Sequence, residues 1–132
     1  MRFDPLDLPD AALAFLAERH LASLTTTRAD GTAHVVPVGF TYVMADGVAV
    51  ARVITNDGSV KVRNASRPGA RGALCQINGR FWLTLEGVVH VSRDPDEVAN
   101  AVELYAVRYR QPRVNPTRVV LTMAVDRIMG NI

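Results

Sequence analysis

Apolar residues in this chain alternate with polar ones more often than they recur every third or fourth position, and that period predicts a mainly β protein. LASLTTT (21–27) reads as a strand, RADGT as a turn, and AHVVPVGFTYV (33–43) as a longer strand in which Pro37 demands an edge or a bulge. MADG (44–47) turns the chain into VAVARVI (48–54), and these spacings suggest an antiparallel meander. RGALCQI (71–77) and RFWLTLEGVVHVS (80–92) form two more strands joined at Asn78-Gly79, a strong hairpin signal. RVVLTMAVDRIM (118–129) is the last strand.

Helical spacing is confined to three places. Pro9 and Asp10 open a helix whose Leu8, Ala12, Phe15 and Leu16 share one face, and which ends near Arg19-His20. A short helix follows the 48–54 strand, capped by Asp57 or Ser59. Asp94-Pro95-Asp96-Glu97 supplies a cap, a proline at the first helical position and a glutamate three residues beyond the cap. Val98, Val102, Tyr105 and Tyr109 make the buried stripe of that helix. Six strands, two main helices and one helical piece make a closed or nearly closed antiparallel barrel the economical architecture.

Length and composition narrow the class. The 132 residues suit one domain spanning 1–132, and 48% hydrophobic with 21% charged residues is ordinary for a globular chain. No apolar run approaches the ~20 residues of a membrane helix, and the first residues lack the apolar core of a signal peptide. Cys75 is alone, so no internal disulfide forms, which fits a cytoplasmic protein. Net charge is +2, and no basic run interleaved with aromatics points to nucleic acid.

Several chemistries have no support in the spacing. His20, His34 and His90 lie far apart, so no metal site is expected. There is no dinucleotide fingerprint, phosphate loop or nucleophile elbow, and Cys75 has no cationic neighbour in sequence. What does stand out is Lys61, the single lysine among fifteen basic residues. If it lies in the first turn of the short helix, the helix dipole disfavours a cation there unless an anion sits between. Thr55, Ser59, Lys61 and Arg52 would then form a phosphate cradle, with Asn64 three residues on along the same face. A solvated surface helix fits the same residues. So does an alternating strand with Val60 and Val62 inward. Arg52, in the middle of an otherwise apolar strand, calls for a partner.

The order Arg52, Thr55-Asn56, Ser59-Val60-Lys61 and Arg67-Pro68, followed by Trp82-Leu83-Thr84-Leu85-Glu86-Gly87, resembles the flavin-binding split-barrel family typified by pyridoxine 5′-phosphate oxidase. The RVVLTMAVDRIMG segment and the run from Arg108 to Val120 are similar to members that use the deazaflavin coenzyme F420, in particular actinobacterial reductases of biliverdin. The likeness extends from about Leu13 to Gly130. It implies a six-stranded antiparallel split β-barrel with flanking helices and hydride transfer from reduced F420 to a conjugated small-molecule acceptor, with FMN as the alternative cofactor. It also implies a homodimer with cofactor sites at the subunit interface. Pro37, Val38 and Gly39 would carry the ring, while Ile54, Thr55, Ser59, Lys61 and Asn64, with Arg52 nearby, would surround the phosphate. Trp82 would reach the other subunit's cofactor. Glycine at 39 would let a flat ring approach the backbone. Arg63, Arg67 and Arg71 would line a groove for an anionic tail that F420 has and FMN lacks, and Arg80, Arg113 and Arg118 are candidates for holding acceptor carboxylates. Val60 stands where the phosphate oxidase has arginine, and that enzyme's C-terminal Arg and His are missing, so pyridoxine phosphate is not the expected substrate.

Overall fold

A computed structural model describes residues 1–132. Three helices and eight strands follow in the order β1 (Arg2–Phe3), α1 (Asp10–Ala17), β2 (Ala22–Thr27), β3 (Ala33–Val38), β4 (Thr41–Ala45), β5 (Val48–Asn56), α2 (Val60–Ala65), β6 (Arg71–Asn78), β7 (Phe81–Ser92), α3 (Pro95–Arg108) and β8 (Arg118–Asn131). The class is mainly β with flanking helices, as expected, but the strands number eight rather than six. One addition is the two-residue β1, paired with β8. The other arises because the single strand expected over 33–43 is broken at Gly39-Phe40.

That break organises the molecule. The sheet runs β3-β2-β6-β7-β8-β5-β4, every neighbour antiparallel. Its two edges, β3 and β4, are therefore successive pieces of one stretch of chain, joined by two residues. The sheet has to curl until its edges meet at that corner, yet it stays open between them: a split barrel. The expected meander fails for the same reason, since 33–38 pairs with β2 while 41–45 crosses to β5.

Alternation along the strands sorts the core. Leu24, Leu74, Leu83, Leu85, Val120 and Ile128 are almost wholly buried, and Phe40 closes the corner with no exposed surface. Each such side chain contributes about 1.5–3 kcal/mol by leaving water. The strands β7 and β8 run together through a bulge between Glu86 and Gly87. A side chain at Gly87 would place its Cβ 1.9 Å from the Ala124 carbonyl oxygen, which gives the Glu-Gly pair its physical reason.

The helices differ from expectation in extent and depth. α1 ends at Ala17, earlier than Arg19-His20, and buries Ala12, Phe15 and Leu16. The hairpin loop is Gly79-Arg80, one residue later than Asn78-Gly79, with Gly79 in the left-handed region at φ +62°. In α3 the Asp94 side chain accepts from the Glu97 amide (3.0 Å) as a cap. The stripe Val98, Val102, Tyr105 and Tyr109 is half-buried instead of buried, and Ala101 alone is fully covered. The helix lies across β5, β8 and β4 near the corner rather than inside the barrel.

Candidate functional site

Two groups of residues meet at the corner, and one of them holds it together. Arg108, at the end of α3, donates to the carbonyl oxygens of Phe40 (2.6 Å) and Glu18 (2.8 Å) and to Gln76 Oε1 (2.6 Å). Its guanidinium also lies over the rings of Phe40 and Tyr109. The Tyr109 hydroxyl accepts from the Phe40 amide (3.1 Å) and donates to the His20 carbonyl (2.8 Å). Gln76, fully buried, spends its amide on the Phe15 carbonyl (2.7 Å). Backbone groups released where β3 gives way to β4 thus find partners in Arg108 and Tyr109 at the end of α3, as buried polar groups require.

The second group encloses a cavity of about 300 Å³ on the other side of the same corner. Pro37, Val38 and Gly39 form one wall, Ile54, Thr55 and Asn56 of β5 another, and Lys61 enters from α2. Tyr105, Pro112, Asn115 and Arg118 close it from α3 and the loop that follows. The loop is pinned there: the Asp57 amide donates to the Thr117 carbonyl (2.9 Å) and the Asn115 side chain hydrogen-bonds to Asn56. Tyr105 is set by its neighbours, its ring 4.8 Å from that of Tyr109. A Cβ at Gly39 would come within 3.0 Å of Tyr105 and 3.1 Å of Tyr109. The space that glycine leaves is therefore filled by Tyr105 of α3 and Tyr109 just beyond it, a reason for Gly39 that differs from room for a flat ligand.

The charge in this cavity is one-sided. Its lining holds Lys61 and Arg118 and no Asp or Glu. The ion pairs in the chain lie elsewhere, joining Arg71 to Asp126 and Arg93 to Asp57, and Glu18 hydrogen-bonds to His20. Burial alone pushes the Lys61 ammonium below its ordinary value, with no acid to offset it. Ser59, the residue before α2, leaves its Oγ buried and without a partner, and it caps no helix amide. A half-buried cation and a buried hydroxyl without partners fit an anionic group.

Among the residues singled out from sequence, Pro37, Val38, Gly39, Ile54, Thr55 and Lys61 line the cavity, with Ser59 two positions from Lys61. Asn64 does not: its side chain is buried and donates to Thr26 Oγ1 (3.0 Å), because α2 lays Val62, Asn64 and Ala65 inward towards β2 and β7. Arg52 sits half-buried on the face of β5 away from Ala51 and Val53, and it has no acidic partner. Trp82 lies half-exposed on the outer face of β7, opposite Ile77. The groove expected from Arg63, Arg67 and Arg71 forms without Arg63. Arg28 takes its place beside Arg67 and Arg71, and Arg71 is already neutralised by a two-bond pair with Asp126 (2.7 Å each). Arg80 lies over the Phe81 ring at the hairpin. Tyr105, Asn56 and Asn115 are cavity residues that pattern reading passed over. Asn56, next to Thr55, was within its reach.

Residues 8–130 match the family described as pyridoxamine 5′-phosphate oxidase. An F420-dependent biliverdin reductase from Mycobacterium tuberculosis (strain CDC 1551 / Oshkosh) is 52% identical over 124 residues, covering 94% of this chain and 88% of that protein. Among solved structures, a conserved hypothetical protein from Mycobacterium tuberculosis superposes with a TM-score of 0.75 at 19% identity, over 98% of this chain and 88% of that one. An F420 reductase superposes with a TM-score of 0.72 at 24% identity, over 92% of this chain and 98% of that one. The two structural likenesses speak for the fold, and the 52% relative for more than the fold.

Proposed function

The chain belongs to the pyridoxamine 5′-phosphate oxidase family, and from that premise we propose that it is an F420-dependent reductase whose acceptor is biliverdin or a similar conjugated tetrapyrrole. The observation that carries this is the lone lysine, half-buried in the corner cavity with no acid to balance it, in a chain 52% identical to a reductase of that description. Lys61 and the Ser59 hydroxyl hold the cofactor phosphate, with Thr55 beside them. Pro37, Val38, Gly39 and Ile54 form the wall for the ring. Proline at 37 keeps that wall stiff and free of an amide that would need a partner.

When bound, the deazaflavin supplies a hydride to a conjugated acceptor, and the protein's part is orientation and electrostatics. Tyr105, fixed against Gly39 and Tyr109, limits how deep a ligand can sit. The pinned loop with Pro112 and Asn115 keeps bulk water from one side of the cavity. Arginine at the mouth stabilises negative charge on the acceptor.

Titration with oxidised F420 and with FMN tests this reading. The parent protein binds F420 in preference to FMN, and Lys61→Ala weakens that binding about 10- to 100-fold, the loss of one or two charge-assisted contacts. Tight FMN binding with no F420 binding, or unchanged affinity in the variant, sinks it.

The working unit we propose is a cytoplasmic homodimer. Leu21, just before β2, Val35 of β3 and Ile77 of β6 are each about 60% exposed. They surround a shallow apolar hollow of about 340 Å³ with Cys75. Pro37 borders both that hollow and the cofactor cavity, so a partner seated there adjoins the site, and Trp82, opposite Ile77, is the side chain it contributes. Sedimentation is the check: the parent runs as a dimer and Ile77→Glu as a monomer, whereas a monomeric parent refutes the assembly.

A further inference from the structure

The cavity holds one cation more than the cradle uses. Arg118 opens β8 opposite Asn56 and lines the cavity beside the loop that follows α3, whereas Lys61 enters it from α2. It is half-buried, and one of its terminal nitrogens donates to the Arg113 carbonyl (2.7 Å). No carboxylate of this chain pairs with it. The neighbouring loop adds Arg110 and Arg113, both exposed and without an acidic partner. Arg118 is thus a second cation in a cavity lined by no Asp or Glu, next to a loop that carries two further arginines. A planar guanidinium anchored on one edge keeps its other edge for a flat two-oxygen anion, the geometry in which arginine binds carboxylates and lysine does not.

We infer that Arg118 is the acceptor-binding residue of this cavity, holding a carboxylate of a conjugated polycarboxylic acceptor while Lys61 holds the cofactor. This rests on the F420 reading above, and it assigns the two cations of one cavity to two different ligands. Arg110 and Arg113 raise the local concentration of the anion from their exposed positions and add little once it is bound.

The test compares Arg118→Gln and Arg118→Lys with the parent, using oxidised F420, biliverdin and biliverdin dimethyl ester. Binding of F420 is followed by titration, binding of each tetrapyrrole to the F420-loaded protein by visible absorbance, and thermal melting guards against misfolding. The expected result is F420 affinity within about twofold of the parent for both variants. Biliverdin binding by Arg118→Gln weakens at least tenfold, a change of about 1.4 kcal/mol, while the diester binds parent and variant equally. Arg118→Lys recovers part of the loss, because it restores charge without the planar fork. A merely structural role for Arg118 would shift acid and diester alike, and that outcome overturns the inference. So does a loss of F420 affinity in Arg118→Gln, which would place Arg118 on the cofactor. A parent that binds no F420 removes the proposed function and this inference with it. A parent that binds F420 while Arg118→Gln treats biliverdin as the parent does removes this inference alone.

Discussion

Arg108 and Lys61 are both half-buried cations at the corner where the sheet splits, and both lie below their ordinary pKa because burial disfavours charge. There the likeness stops. Arg108 has an acceptor for three of its nitrogens, two of them uncharged carbonyls and one an amide oxygen. Lys61 has none. One cation completes the fold, and the other lacks a partner that the chain does not provide. On the function proposed above, the difference separates structural charge from charge kept for a ligand, since a cation held only for stability would sit with its acceptors or in water.

The strongest way to break that contrast is to remove Arg108. In Arg108→Met, Gln76 Oε1 loses its donor in a region water reaches poorly, and the Phe40 carbonyl keeps only the Tyr109 hydroxyl, 3.1 Å away and shared with the His20 carbonyl. Each orphaned acceptor costs about 1–3 kcal/mol, so the variant should lose about 3 kcal/mol and melt roughly 10 °C lower. The same replacement at Lys61 leaves no acceptor orphaned and removes a desolvated charge, so Lys61→Met should melt within about 2 °C of the parent or slightly higher. Calorimetry on the two variants decides the matter. If Lys61→Met is the less stable of the pair, Lys61 is a structural residue and the cavity needs no anion.

The two regions were also unequally legible in the sequence. Lys61 could be found because it is a compositional exception, and the Thr55 to Lys61 spacing placed it beside a strand end. Arg108 looked like any charge at the last turn of a helix. Its acceptors lie 32, 68 and 90 residues away, and nothing local encodes such contacts. Strand positions were readable from alternation. The break at Gly39-Phe40 was not, because the apolar run continues through it and only Pro37 and Gly39 hinted at a discontinuity. Yet that break turns a meander into a split barrel and brings both regions into being. Asn64 is hard to read for a related reason: its spacing of three from Lys61 predicts a shared face, but α2 is only six residues long and lays Asn64 against β2.

A smaller effect sharpens the contrast through pH. Because the folded-state pKa of Lys61 lies below the unfolded value of 10.5, the unfolded chain binds more protons over the interval between the two. Stability of the free protein therefore rises, so far as this group is concerned, as pH climbs through that interval. Affinity for an anion moves the other way, since only the ammonium form attracts it. It is full below the folded-state pKa of Lys61 and falls as pH passes that value, by up to tenfold per unit. Arg108, a guanidinium, stays charged throughout and contributes to neither slope. Measured from about pH 7 to about pH 10, F420 affinity in the parent should begin to fall below 10.5, while Lys61→Arg should hold its affinity to the top of that range. The tyrosines and Arg118 are common to both proteins, so the difference between the two curves belongs to residue 61. Parallel curves would mean that no anion rests on that ammonium group.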